Sequence, residues 1–253
     1  TMNLSDNKIS YDIGVNRKIT KPNYLFIFIS SILLVIIILF IGHNIDANKA
    51  CEKEDVIFIK NPTKENVQNN IVKRSPMIIN KMIYRDDLLY ELKPIELSDG
   101  NPEYMIKWTD KIYPMKEFVN RRLGYLYNDP VFIHDFKMDF RINRLAYGFL
   151  NNLSCTKKSY FNMFLNKMKL NPEYQKNNIC LIMQLNGKQT INLFHPRYKK
   201  RILNMKSDIW NKDSNRISDT LVGEKYLELN LDSGQILYIP KGWTWCSMVS
   251  DSC

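Results

Sequence analysis

The chain has 253 residues, of which 45% are hydrophobic and 12% aromatic, and its formal net charge at pH 7 is +10. This length allows one sizeable folded domain with a small additional element, and the apolar content excludes disorder over most of the chain. The positive charge favours an anionic partner, although lysines scattered as a solvated coat explain it more simply. The only dense basic run, Arg197 to Arg201, lies in no recognised nucleic-acid motif. It predicts a solvated helical turn and no specific nucleic-acid partner.

The N-terminal region combines a polar segment with a long apolar one. Residues 1–22 are polar and predict a flexible tail, whereas residues 23–42 contain a charge-free run from Tyr24 to Ile41, in which only Ser30 and Ser31 are polar. Such a run is close to the length with which a helix crosses about 30 Å of hydrocarbon. It is longer than the apolar core of a cleaved signal peptide, and no small-x-small site follows it. We therefore expect a retained transmembrane helix that anchors the chain in a lipid bilayer.

The charges beside this run predict its orientation. Arg17, Lys18 and Lys21 precede it, whereas the lysines that follow are mixed with acidic residues. The bias favours a cytoplasmic N-terminus and a lumenal or exterior C-terminal domain. On that side disulfides are possible, and Asn152-Leu-Ser154 becomes a glycosylation acceptor. Residues 43–60 are expected to form a stalk.

Residues 61–253 are expected to form one α+β domain, in which helices precede a β-rich core. Asn61-Pro62 predicts a capped helix with proline near its first turn. Apolar residues at helical spacing after Pro114 predict a helix with one buried face. The predicted elements here are a strand at Val56 to Ile59, a helix at Thr63 to Val72, a strand at Ser75 to Asn80, a helix at Pro114 to Leu123 and a helix at Phe140 to Leu153.

Two strand-rich segments dominate the second half of the chain. Leu181 to Pro196 predicts a hairpin, because Asn186-Gly187 tolerates the positive φ of a tight turn and apolar residues flank it. Asp232-Ser-Gly234 predicts a turn, followed by an apolar strand from Ile236 to Ile239. A Pro/Gly corner with two tryptophans follows this strand.

Together these segments resemble the jelly-roll core of the JmjC and cupin-like 2-oxoglutarate/iron oxygenases, the branch that includes the asparaginyl hydroxylase called factor inhibiting HIF. The resemblance covers roughly residues 70–250. It implies an N-terminal transmembrane helix followed by helices packed on a cupin-like jelly roll, also called a double-stranded β-helix. In this family a His-x-Asp/Glu pair and a distant His hold Fe(II) on one face, which leaves positions open for 2-oxoglutarate and oxygen.

The residues at the family's iron positions are unsuited to that role. The resemblance places Tyr174 on the first histidine, Lys176 on the carboxylate and Trp245 on the distal histidine. Gln189 stands where a lysine pairs with the cosubstrate, while Lys188 points to the opposite strand face. Only Pro172 and the downstream hairpin fix the alignment at Tyr174, so a register shift there stays open. No His-x-Asp or His-x-Glu occurs in the chain, and the resemblance therefore implies a pseudoenzyme that holds no Fe(II) or 2-oxoglutarate.

A scaffold without its metal site is best interpreted as a structural or protein-interaction module. The alternatives are an active Fe(II)/2-oxoglutarate-dependent protein hydroxylase or demethylase with non-standard ligands, and an electrostatic binder of nucleic acid or anionic lipid. Frequent Ile, Asn and Lys are typical of A/T-rich genomes such as those of protists or of their giant viruses, so a virion or organellar membrane assembly fits the composition. The sequence ends soon after Trp245, where the family usually continues into at least one more strand, which predicts either that a partner donates this edge or that the fold is locally open.

The remaining reactive residues each have a simpler structural interpretation. Cys180 is interpreted as a small core hydrophobe, His134-Asp135 as an acid/base pair or, more simply, an exposed loop histidine, and Trp243 with Trp245 as a binding platform or, more simply, core filling. Cys246 and Cys253 are candidate nucleophiles without an evident basic partner. The five cysteines form no CxxC pair, which argues against a zinc ribbon or thioredoxin-like motif; they are Cys51, Cys155, Cys180, Cys246 and Cys253.

Overall fold

A computed structural model describes residues 24–48, 55–80, 93–138, 158–205, 209–210, 217 and 225–249. The chain divides into two compact units, residues 1–49 and residues 50–253. Four predictions lie outside the described residues: the tail at 1–22, the helix from Phe140 to Leu153, the glycosylation acceptor at Asn152, and every role for Cys51, Cys155 and Cys253.

The described residues of the first unit form the helix α1 (Tyr24–Asn48). Its apolar side chains from Tyr24 to Ile41 are exposed, and by length and composition the stretch Tyr24–Gly42 is able to cross a membrane. The Ser31 hydroxyl donates a hydrogen bond of 2.8 Å to the Ile27 carbonyl, one turn earlier. This serine therefore satisfies its polar group within the helix and adds little cost to an apolar environment.

Two sheets form the centre of the second unit. The strands of sheet 1 are β1 (Ile57–Ile59), β2 (Met77–Ile79), β9 (Ile179–Met183) and β12 (Ile236–Pro240). Those of sheet 2 are β7 (Met168–Lys169), β8 (Glu173–Tyr174), β10 (Lys188–Phe194), β11 (Tyr226–Asp232) and β13 (Thr244–Val249). Sheet 1 has the order β1-β2-β12-β9, and sheet 2 has the order β11-β10-β13-β7, with β8 also paired to β13. The predicted strands at 56–59, 75–80 and 236–239 are thus confirmed, and the first of them, at the end of the predicted stalk, belongs to sheet 1.

The chain passes repeatedly from one sheet to the other. β9 pairs with β12 in sheet 1, whereas β10 pairs with β11 and β13 in sheet 2. The predicted hairpin from Leu181 to Pro196 is therefore wrong. Gly187 does adopt a positive φ of 73°, but the turn connects different sheets. A tight turn and flanking apolar runs do not identify the strand with which each run pairs.

The main core lies between the two sheets. It contains Ile78, Ile191, Leu193, Leu229, Leu231, Leu237, Ile239, Trp243 and Trp245, with Cys180 and Ile182 packed against it. The prediction that the two tryptophans fill the core is confirmed. The wholly apolar β12 is buried over its whole length because it lies in the middle of sheet 1 with both faces covered.

Short helices cover the outer faces of the sheets. On sheet 1, Val67 of α2 (Lys64–Val72) packs beside Ile236 and Tyr238. The predicted helix is confirmed and is capped, but the cap is Thr63, whose Oγ1 accepts a hydrogen bond from the Asn66 amide, so Pro62 lies before the helix. On sheet 2, a 3-10 turn (Pro196–Tyr198) and α6 (Lys199–Met205) form a cluster in which Ile202 is fully buried. The basic run at 197–201 is therefore helical, as predicted.

A small lobe precedes β7 and has its own apolar cluster. It consists of α3 (Pro94–Gly100), β3 (Met105–Trp108), β4 (Lys111–Pro114), α4 (Met115–Asn120), β5 (Tyr125–Asp129), α5 (Pro130–Asp135) and β6 (Phe161–Phe164). The predicted helix after Pro114 is present but shorter, and Met115, Phe118 and Val119 form its buried face. β3 pairs with β4 and β5 with β6. The expectation that helices precede the strands is thus too simple, because strands alternate with helices throughout this lobe.

Candidate functional site at the β8–β13 pairing

The pairing of β8 with β13 decides which side chains enter the space between the sheets. Glu173 lies opposite Trp245, and Tyr174 lies opposite Thr244. Residues directly opposite in an antiparallel pair project to the same face. Because Trp245 belongs to the inter-sheet core, Glu173 projects between the sheets and Tyr174 projects to the outer face.

Two of the four predicted pocket residues therefore do not face the interior. The Tyr174 ring lies on the outer face under Lys199, whose Nζ is 3.5 Å from the ring centroid. Lys176 follows β8 and is exposed. The prediction that they plug the pocket is thus corrected, since a register shift of one residue reverses every side chain of a strand.

The other two predicted residues do face the interior. Trp245 is 9% exposed and lies opposite Leu193. Gln189 is buried, and its Nε2 donates a hydrogen bond of 2.8 Å to Ser247 Oγ. Lys188 lies on the opposite face, where it is exposed and forms an ion pair of 3.3 Å with Asp232, as predicted.

Sequence reasoning missed a polar group at the same end of the interior. The Tyr127 hydroxyl of β5 donates a hydrogen bond to the Glu173 carboxylate. Burial, together with this bond, raises the pKa of Tyr127 well above its usual range. No local signal in the sequence identifies β8 as the neighbour of β13, or Tyr127 as the partner of a residue 46 positions away.

Cys180 lies on the neighbouring sheet and packs against the same inter-sheet core. It is half-buried rather than fully buried, and it is part of β9 as predicted. Burial first, and then the negative charge of Glu173, raise the pKa of its thiol from 9.0 to about 11. The thiol is therefore protonated at neutral pH and is a poor nucleophile and metal ligand.

The inward-facing donors do not fit an iron centre of the kind that the family resemblance implies. Three suitable side chains on one face are required. The inner face here presents an indole from Trp245, an amide from Gln189 that is bonded to Ser247, and a carboxylate from Glu173 that is bonded to Tyr127. Within the described ranges, no group of three or more His, Cys, Asp or Glu is arranged to hold a metal ion.

The other candidate residues are dispersed. His134 lies in the last turn of α5 with 85% of its side chain exposed, and its Nδ1 is 3.6 Å from Asp135 Oδ1, which is the arrangement of a surface residue. His195 Nδ1 accepts the Arg197 amide at the start of the 3-10 turn, and its ring packs edge-on against Trp243. Cys246 is buried on the outer side of sheet 2, and burial raises its pKa far above the usual range.

Comparison with known proteins adds no family to this description. No protein-family model matches the sequence, and no curated protein matches it. The resemblance to the oxygenases stays a prediction that rests on the residues quoted above.

Proposed function

We propose that the protein is a membrane-anchored, catalytically inactive domain of the cupin/JmjC type that acts as a structural or protein-interaction module. The observation that carries this proposal is the occupation of the inter-sheet space by Trp245. An indole provides no lone pair for iron, and its bulk lies where the resemblance expects the distal ligand.

The topology of the two sheets supports the jelly-roll part of the proposal. From β9 to β10, and again from β11 through β12 to β13, the chain alternates between sheet 1 and sheet 2. A jelly roll is built from two facing antiparallel sheets with crossings of this kind. The parallel pair of β1 with β2 at the edge of sheet 1 departs from the pattern. We assign this pair to an N-terminal extension of the roll.

Binding of Fe(II) and 2-oxoglutarate tests the absence of an oxygenase site. The full chain in detergent is titrated with Fe(II) under anaerobic conditions, with and without 2-oxoglutarate, and metal stoichiometry and succinate release are measured. We expect neither stoichiometric iron nor turnover. Stoichiometric iron with succinate release would instead support the alternative of an active hydroxylase or demethylase. A Glu173→Ala variant then shows whether the inward carboxylate is a ligand.

The anchor and its orientation are a separate part of the proposal. The charge-free run of α1 and the basic residues before it support a single span with the N-terminus in the cytoplasm. Translation with microsomes tests this, because a lumenal domain would gain a glycan at Asn152, and removing that glycan enzymatically would return the mass of the uncleaved chain. An Asn152→Gln variant is the matched control. A cleaved product, or an unglycosylated chain whose domain is digested by external protease, contradicts the proposed topology.

A further inference from the structure

β9 is an uncharged strand at the edge of sheet 1. Its sequence, Ile179-Cys-Leu-Ile-Met183, contains no charged residue and no proline. It pairs with β12 on one side, and no strand in the described part of the chain pairs with its other side. Natural proteins usually protect an edge of this kind with charges, proline, bulges or a covering element.

The exposure of β9 agrees with an uncovered outer edge. Its side chains pack on both faces, with Cys180 and Ile182 against the inter-sheet core and Leu181 against the cluster under α2. Even so, all five residues remain partly exposed, whereas every residue of the adjacent β12 is buried. With both faces packed, the remaining exposure lies along the outer edge.

The hydrogen bonds after β9 show which backbone groups lie on that edge. Gln184 donates its amide to the Gln235 carbonyl at 2.9 Å and accepts the Gly234 amide at 2.8 Å, so its backbone faces β12. Successive residues of a strand turn their N–H and C=O groups to alternate sides. The backbone groups of Ile179, Leu181 and Met183 therefore point away from β12. Pro240, which lacks an N–H, lies opposite Ile179, where no such donor is needed.

The corresponding edge of sheet 2 is protected. β11 carries Glu228 and Asp232, and Asp232 also forms the ion pair with Lys188. The other edges of the two central sheets are short, since β1 has three residues and β7 and β8 have two each. In the two-stranded sheets, β3, β4 and β5 each carry a charged residue, and the uncharged β6 has four residues. β9 is thus the longest uncharged edge strand in the described part of the chain.

We propose that β9 pairs antiparallel with β9 of a second copy of this chain, about a two-fold axis at Leu181. In this register Ile179 lies opposite Met183, and every outward N–H and C=O of the strand meets a partner. Lys176 falls opposite Asn186, so no like charges face each other despite the net charge of +10. An edge free of charge is suited to a second copy of a basic protein, whereas an acidic partner would gain nothing from it.

The short edge gives a small contact area, below that of most stable soluble dimers. Anchoring both copies in one bilayer compensates for this, because it raises their effective concentration. A second copy of the chain is thus the partner of the interaction module proposed above, and this assignment rests on that proposed function. The two proposals can fail independently, because iron binding tests the space between the sheets and the oligomeric state tests the β9 edge.

Cysteine cross-linking in lipid vesicles tests the register. Cys180 lies opposite Ile182 of the second copy as a non-hydrogen-bonded pair, with Cα atoms about 4.5 Å apart, which is within disulfide range. Because the pKa of the Cys180 thiol is raised to about 11, full-length Ile182→Cys protein is oxidised with copper phenanthroline over a series of alkaline pH values, and a covalent dimer on non-reducing gels is expected to increase with pH. The matched control, Ile182→Cys with Cys180→Ser, is expected to lose it, which excludes bonds through the other cysteines.

A proline substitution tests the edge hydrogen bonds. Leu181→Pro removes the outward N–H at the axis from both copies and leaves the bonds to β12 intact. The dissociation constant measured by energy transfer in vesicles is expected to rise about thirtyfold, the loss of two ordinary backbone hydrogen bonds. Circular dichroism checks that the variant remains folded. A monomeric wild-type chain in vesicles, or a dimer that forms no Cys180 cross-link, overturns the proposal.

Discussion

The two faces of sheet 2 differ most where β8 pairs with β13. On the inner face Glu173 lies opposite Trp245, and the Tyr127 hydroxyl binds the carboxylate. On the outer face Tyr174 lies opposite Thr244 and is covered by Lys199. Two adjacent residues of one short strand thus lie in different environments. Glu173 forms a polar contact beside the core, and Tyr174 forms a cation–π contact under a surface helix.

The difference between the two faces shows that a shift of one residue in strand register changes which side chains are assigned to the interior. A residue-by-residue comparison with a family pattern places Tyr174 and Lys176 inside, whereas the pairing places Glu173 inside. Neither placement provides the three ligands that the proposed relation to the iron oxygenases would require. The side chains in the interior differ, however, because the pairing places the carboxylate of Glu173 there, whereas the alignment places no carboxylate there.

Among substitutions on the two faces, we expect the loss of Trp245 to lower the free energy of unfolding most. Trp245→Ala removes an indole that is 9% exposed at the centre of the inter-sheet core, and we expect it to lower the free energy of unfolding by about 3–5 kcal/mol. Urea denaturation followed by circular dichroism measures the change. Tyr174→Ala on the outer face is the matched control and should cost clearly less. Equal losses for the two variants would show that the faces are not differently packed.

The next effect concerns the contact between Tyr127 and Glu173. Tyr127→Phe leaves the inward carboxylate without its donor, at a cost of about 1–3 kcal/mol in unfolding free energy. In a Glu173→Gln background the same change should cost less, because the acceptor is no longer charged. A double-mutant cycle measures this coupling. Additive losses would mean that the hydroxyl and the carboxylate do not interact energetically.

The sequence predicts those parts of the fold that depend on local pattern. The apolar runs of β2 and β12, the helix that follows Pro62 and the buried face of α4 were all identified correctly, because propensity and periodicity act over a few residues. The helix α1 was also predicted correctly, because a long apolar run without charges directly indicates a long apolar helix.

What the sequence does not predict depends on contacts between distant residues. The partners of β9 and β10 lie in different sheets, so the turn at Gly187 could not indicate them. Tyr127 reaches Glu173 from the small lobe, across 46 positions. The faces of β8 were missed because the strand has only two residues, too few to show an alternation.

The inner face also predicts a dependence of stability on pH. Because burial and Glu173 raise the pKa of Cys180 from 9.0 to about 11, the unfolded chain loses this proton at lower pH than the folded chain does. The stability that the protonated thiol contributes is complete below about pH 9 and is lost as the pH rises towards about 11. Cys180→Ser should therefore reduce the fall of the unfolding free energy over this range, measured by urea denaturation at several pH values. An unchanged slope would contradict the buried state of the thiol. Cys246 and three tyrosines (Tyr104, Tyr127 and Tyr238) also have raised pKa values and add to the fall over this range in both proteins, so the difference between the two slopes isolates Cys180.

The smallest effect is expected on the outer face, where Lys199 lies over Tyr174. Lys199 is the first residue of α6, where a positive charge opposes the helix dipole. Its ammonium group is held at 3.5 Å from the ring centroid, and at a half-exposed site such a contact contributes about 0.5–1 kcal/mol. Lys199→Met alone understates this value, because it also removes the unfavourable dipole interaction. A double-mutant cycle with Tyr174→Leu isolates the contact, while Tyr174→Phe keeps the ring and should preserve the coupling. Zero coupling energy would show that Tyr174 serves only as apolar cover for sheet 2. A coupling above about 2 kcal/mol would require a desolvated pair, and the outer face would then be as well shielded as the inner one.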